Sequence, residues 1–254
     1  MPILDYARTG LDNSENFARE YRKKLKFQND YDWKKYRASV DLLCDTEYAI
    51  QDCFEYQLGY LGSKTNGIGE VYLRLYGVLN AVYLQKSALE TLLNMTNFPN
   101  REKLIKEFEN LDIYKLRNYA GAHTLNSIYD SEILKRNPTI NKIASFRIIQ
   151  VYLEKTGAKI SLLDHNNLTH EFCILKCLTE YETKTRHTII ALIEHIIKTL
   201  VQDKDRKKSL KSLLDNTKSN LIDYSKINKN SEFKIAEKRR LEKLLKSIKT
   251  EFKL

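Results

Sequence analysis

Residues 117–123 read RNYAGAH. An arginine, an amide directly after it and a histidine six positions beyond the arginine form a set suited to phosphate and proton chemistry. At neutral pH the imidazole of His123, with an ordinary pKa of about 6.5, takes a proton from a ribose 2′-hydroxyl or returns one to a leaving 5′-oxygen. Arg117 stays charged and clamps phosphate oxygens as charge builds up on a phosphorane. The Asn118 amide orients substrate or a catalytic side chain. Together these residue types suit RNA cleavage without a metal. Tyr119, inside the same stretch, is a candidate base-stacking platform, although the chain holds 16 tyrosines and packing is the more common role. The bland reading of the set is a surface arginine and a histidine that caps a helix or sits in a core.

The spacing poses a geometric problem. On an unbroken α-helix six residues correspond to about 600°, which leaves Arg117 and His123 roughly 120° apart around the axis. Two arrangements overcome this. Gly121 weakens the helix and permits a local kink or bulge that re-aims the histidine. Alternatively, two chains related by a twofold axis each contribute a motif to a shared cleft.

The elements around the motif are mostly helical. Residues 31–60 place Val40, Leu43, Cys44, Ala49, Ile50, Phe54 and Leu58 at helical intervals without proline or interior glycine, and predict one long helix. LGSKTNGIG at 61–69 is a predicted loop carrying Gly62, Gly67 and Gly69; no Gly-Lys-Ser/Thr closes it, so it is not a P-loop. Residues 70–94 predict a second long helix, antiparallel to the first. Pro99 and Asn100 announce a third over 101–111. FRIIQVYL at 146–153 and AKISLLD at 158–164 read as a β-hairpin turning at Gly157, and from about Leu168 to Val201 another long helix is expected.

With 254 residues, 42% hydrophobic and 30% charged, only three prolines and eight glycines, the chain belongs to the folded, helix-rich class and not to the disordered or fibrous ones. No basic-then-apolar leader opens it, and four cysteines without a leader suggest reduced thiols, so a cytoplasmic protein is expected. The apolar run TIIALIEHIIKTLV at 188–201 is too short and too charged to cross a bilayer. Of the formal +10 charge, residues 202–254 hold +8, from 16 Lys and Arg against 8 Asp and Glu. This basic stretch, with a narrow apolar seam of Leu241, Leu244, Leu245, Ile248 and Phe252, reads as a helical tail that docks on its own domain, on a second chain or on an anionic surface.

Other constellations are weaker. His165, His170, Cys173 and Cys177 carry zinc-ligating atoms, and the last three would share a face of the expected helix, but they lack a tight Cys-x-x-Cys knuckle. Cys44 and Cys53 read as core thiols. Arg186, His187 and His195 form a second Arg/His neighbourhood. Asp45 and Glu47 are two apart and diverge on a helix, so ordered carboxylates for a metal nuclease are lacking.

RNYAGAH resembles the signature of the HEPN superfamily (higher eukaryotes and prokaryotes nucleotide-binding domains): Arg, four to six residues, then His, commonly with Asn, Asp or His after the Arg. The resemblance covers roughly residues 31–200, with 125–168 as an insertion. It implies a mainly α, antiparallel helical bundle, into which the β-hairpin read at 146–164 would be inserted. The expected division is an N-terminal helical segment at 1–30, a HEPN-like domain at 31–203 and the basic helical tail at 204–254. It further implies a homodimeric endoribonuclease using Arg117, Asn118 and His123, without cofactor or metal, leaving a 2′,3′-cyclic phosphate and a 5′-hydroxyl. The partners implied are RNA, a second copy, and an antitoxin or defence-system protein, with no membrane. Members that only bind nucleotides or proteins keep a non-catalytic subunit as the alternative.

Overall fold

The computed structural model describes residues 23, 25, 30–56, 58, 68–122, 147–148, 159–163, 167–201 and 203–219. They are mainly helical. Helix α1 runs Asp30–Tyr56, α2 Ile68–Met95, α3 Arg101–Glu109 and α4 Asp112–Leu116, and a π-helical turn follows at Arg117–Ala122. Strands β1 (Arg147–Ile148), β2 (Lys159–Leu163) and β3 (Thr169–Cys173) lead into α5 (Ile174–Thr199) and α6 (Lys204–Ser219). The expected loop at 61–67 and the Gly157 turn lie outside the described residues, as do the N-terminal segment 1–22 and the apolar seam at 241–252. Gly69, expected in the loop, belongs to α2.

The chain divides into two compact units. The first comprises Met1–Cys44, Leu92–Phe98 and Thr185–Leu254. Its described core is built from three amphipathic stripes: Trp33, Tyr36, Val40 and Leu43 of α1, Ile189, Leu192, Ile193 and Ile196 of α5, and Leu210 and Leu214 of α6. Trp33 and Tyr36 stack with ring centroids 5.7 Å apart. The end of α2 is closed by a left-handed Asn97 (φ 50°). The Asn97 N–H bonds to the Asn94 carbonyl at 3.2 Å and the Phe98 N–H to the Leu93 carbonyl at 2.9 Å. This is the Schellman pattern, with asparagine filling the position glycine usually takes. His195 latches the turn: its Nε2 lies 3.1 Å from the Thr96 carbonyl oxygen, and its ring meets Phe98 edge-on at 5.4 Å. α6 starts where Asp203 caps it, its carboxylate accepting the Arg206 N–H at 2.7 Å in the manner of an N-cap. Lys207 Nζ donates to the Lys198 carbonyl at 2.9 Å near the end of α5, where a cation is favoured.

The second unit comprises Asp45–Thr91 and Pro99–Lys184. Within it α1 and α2 run antiparallel, because contacts pass from Asp52–Arg74 at 3.0 Å to Glu47–Gln85 at 3.4 Å, one number falling as the other rises. Ile50 and Cys53 of α1 and Leu75, Val78, Val82 and Leu89 of α2 are buried. α5 joins them through Tyr181, which is fully buried, donates its hydroxyl to the Val82 carbonyl at 3.1 Å and meets Phe108 of α3 edge-on at 5.7 Å. Aromatic pairs in this geometry contribute beyond their buried area.

The sheet corrects the expected helix start. Thr169–Cys173 is a strand, paired antiparallel with Lys159–Leu163 from Lys159↔Cys173 to Leu163↔Thr169, and α5 begins only at Ile174. Phe172 falls at helical spacing from Leu175 and Leu178, which is why periodicity extended the helix backwards. Pairing wins because β2 otherwise exposes a free edge. β1 pairs with the other edge, Arg147↔Leu163 and Ile148↔Leu162, so β2 is central and Ile160, Ser161 and Leu162 are buried in a row.

Candidate functional site

The motif rises from a short helix whose start and buried face are both defined. Leu111 is extended (φ −68°, ψ 143°), and its carbonyl accepts the N–H groups of Tyr114 and Lys115 at 3.0 and 3.1 Å. Ile113, Leu116 and Ala120, at i, i+3 and i+7, are essentially inaccessible. They anchor the segment and leave Arg117, Asn118 and Tyr119 half-buried at its margin. From Arg117 to Ala122 the backbone widens into the π-helical turn. A π turn bonds i to i+5, so it takes up one more residue than an α turn. Gly121 lies inside it, so the break in α winding that this glycine permits is present. β1 lies alongside the turn. His123 lies outside the described residues.

Arg117 is held by neutral groups. Its guanidinium lies over the ring of Tyr83 on α2, with Cζ 4.0 Å from the centroid, and its Nη1 donates to the Asn118 carbonyl oxygen, Oδ1, at 3.0 Å. Several other cations of this unit meet carboxylates. Arg74 bridges Asp52 and Glu70, and Lys184 meets Glu107. Lys86, buried on α2 one turn from Tyr83, meets Glu109 at 2.7 Å and Glu90 at 3.2 Å. Among the described residues, no carboxylate is paired with Arg117. A guanidinium that is covered on one face by a ring and meets no carboxylate among the described residues retains its attraction for an anion, and its remaining N–H donors suit the bidentate geometry of phosphate.

Behind this arginine stands a second charged layer. Lys86 Nζ lies 5.4 Å from the centroid of the Tyr114 ring. Burial works against the Lys86 charge, but the hydrogen bonds it donates to Glu109 and Glu90, together with Tyr114, outweigh it and raise its pKa above the ordinary lysine value. Burial raises the Tyr114 phenol as well, with Glu109 adding to the rise and Lys86 and Arg117 opposing it. Lys86, Glu109, Tyr83 and Arg117 all act on this one phenol, so they form a single electrostatic neighbourhood.

The other sequence candidates separate. His170 and Cys173 are exposed on β3 while Cys177 is buried on α5, so the shared helical face expected for them does not form; His165 lies outside the described residues. Among the described residues no three His, Cys, Asp or Glu side chains gather as a metal would require. Burial pushes the Cys177 and Cys53 thiols up to about 12, so both resist forming the thiolates that ligate metals or attack electrophiles. Cys44 is buried too, in keeping with a core thiol. In the first unit His187 is exposed on α5, and His195 is engaged by Thr96 and Phe98. Tyr83 and Lys86 escaped the sequence reading. Tyr83 stands 34 positions before Arg117, and only the neighbouring Val82, in the buried stripe of α2, hinted that residue 83 would sit at a helix margin.

Among the described residues, no helix is long and apolar enough to cross a membrane. Compared with family models, curated proteins and solved structures, the chain matches none.

Proposed function

We propose that this chain is a metal-independent endoribonuclease with a HEPN-like helical bundle, cleaving RNA by 2′-hydroxyl attack at a site shared across a homodimer. The observation that carries the reading is Arg117: half-buried, with its guanidinium over the Tyr83 ring, steadied by Asn118 and paired with no described carboxylate, at the head of a π turn. Such an arginine suits stabilisation of the charge that develops on a phosphorane. In this mechanism His123 moves the proton at the 2′-hydroxyl or the leaving 5′-oxygen, and Tyr119 is the base-stacking candidate.

The local winding favours two chains over one. An α winding from Arg117 leaves position 123 roughly 120° away, and one extra residue in the ladder retards it by about 100°, to roughly 140° on the other side. On neither winding do two side chains six positions apart face the same way. A second motif across a twofold axis supplies both the convergence and a second imidazole, so that one histidine acts as base and the other as acid. A role as a toxin or antiphage-defence effector, restrained by a partner until triggered, follows from the family resemblance alone.

The test uses single-stranded RNA with purified protein in excess EDTA, alongside Arg117→Ala and His123→Ala. Cleavage that persists in EDTA and falls at least about a hundredfold in each variant, the scale of a lost charge-stabilising or proton-transfer group, is expected. Equal background cleavage in all three proteins would refute the enzyme and leave a binding subunit, and loss of cleavage in EDTA would refute the metal-free mechanism.

A further inference from the structure

We infer that Tyr83 is the positioning residue of the phosphate site: its ring face fixes the plane of the Arg117 guanidinium, while Asn118 fixes its rotation within that plane, so that the open edge is pre-set as an anion fork. The inference rests on the reading of Arg117 as the phosphate contact and extends it to a residue on another helix. A free arginine side chain samples many rotamers, and an anion that binds it must first freeze them. Here two contacts of different kinds, one to the ring and one to the Asn118 amide oxygen, already restrict it. The centroid distance of 4.0 Å is well inside the range of about 6 Å over which a ring attracts a cation. The hydrogen bond of 3.0 Å uses one of the five N–H donors.

Neutrality of the support matters as much as its geometry. Had α2 presented a carboxylate at position 83, as α3 presents Glu109 to Lys86, the arginine would be equally well held but its charge would be spent. A ring holds the cation while leaving the guanidinium edge free for oxygen ligands. Tyr83 itself is half-buried on α2, a rigid element, which keeps the platform fixed relative to the π turn.

The ring face carries the effect, so Tyr83→Phe should behave as the parent and Tyr83→Leu should not. The first measurement is independent of catalysis. The Arg117 side-chain Nε–Hε resonance, assigned by its disappearance in Arg117→Lys, is followed by NMR while inorganic phosphate is added. We expect a ring-current-shifted resonance in the parent and in Tyr83→Phe, a position near that of a free arginine in Tyr83→Leu, and about tenfold more phosphate needed to move it there. The second measurement is RNA cleavage: Tyr83→Leu lowers kcat about tenfold with KM little changed, equivalent to about 1.4 kcal/mol, and has no further effect in an Arg117→Ala background.

An unshifted Arg117 resonance in the folded parent, equal phosphate response in Tyr83→Leu, or an equal loss from Tyr83→Leu with and without Arg117 would each overturn the inference. If phosphate behaves as expected but RNA is not cut, the platform stands and the ribonuclease reading falls. If RNA is cut equally well by Tyr83→Leu, the reverse holds. Should Tyr83→Leu fail to fold, Tyr83→Met keeps the volume without the ring and carries the same expectations.

Discussion

At the scale of single residues, the candidate site contrasts a lysine paired with carboxylates and an arginine for which no described carboxylate is a partner. Lys86 and Arg117 lie in the same electrostatic neighbourhood around Tyr114, yet Lys86 is closed off by Glu90 and Glu109 while Arg117 rests on a ring and an amide. Lys86 is therefore structural, and its titration tests that assignment. The folded-state values of Lys86 and Tyr114 lie above their ordinary values of 10.5 and 10.0. A group raised in this way contributes stability that is complete below its unfolded value and is lost as pH climbs through the folded value. Urea unfolding should therefore give a midpoint that starts to fall above about pH 9, where the Cys53 and Cys177 thiols ionise in the unfolded chain, and falls more steeply above about pH 10; in Lys86→Met the part above pH 10 should be shallower. An identical decline in parent and variant would show that the lysine contributes nothing.

The elements are set by local chemistry at their ends and by pairing in their middles. The turn after α2 depends on Asn97 in the left-handed region, where asparagine is tolerated and β-branched residues are not. Replacing it should separate these effects cleanly: Asn97→Gly is expected to keep or slightly raise the melting temperature, whereas Asn97→Val should cost about 1–2 kcal/mol in chemical unfolding. If both variants matched the parent, the Schellman turn would not be what terminates the helix. The π turn is an end of a different kind. Ile113, Leu116 and Ala120 anchor one side of the segment in the core, and the winding widens from Arg117 to Ala122. β3 illustrates the opposite case, in which a segment with helical spacing is drawn into a strand because the central β2 needs a second partner.

For the molecule as a whole, charge is the dominant consideration. The described part of the basic C-terminal stretch, α6, buries Leu210 and Leu214 and exposes Lys204, Lys208 and Lys211 at i, i+4 and i+7. The helix is thus both a piece of the first unit's core and a positive face. If RNA is the partner, its affinity should fall steeply with salt, because each phosphate neutralised releases counterions. Lys208→Gln with Lys211→Gln should weaken binding to all single strands alike and reduce the log–log salt slope by about 0.7 for each phosphate no longer neutralised. An unchanged slope would mean that this face is merely solvated. Measured mass bears on the shared cleft: the chain is 29.9 kDa, and active protein should run at twice that. A strictly monomeric active enzyme would remove the twofold argument.

Much of the helical framework was legible from hydrophobic spacing, since burying a stripe at i, i+3 and i+4 is a local property of the chain; α1 and α2 lie within a few residues of their expected limits. The break in α winding around Gly121 was legible for a similar reason, because backbone freedom is carried by the residue itself. Tertiary structure alone decided what surrounds the motif. Tyr83 reaches Arg117, Lys86 finds Glu109, and Thr169–Cys173 pairs with β2, through contacts between segments that no spacing links. Such contacts depend on how distant stripes pack, so a sequence names the arginine while only the fold determines whether its charge is cancelled or left available for an anion.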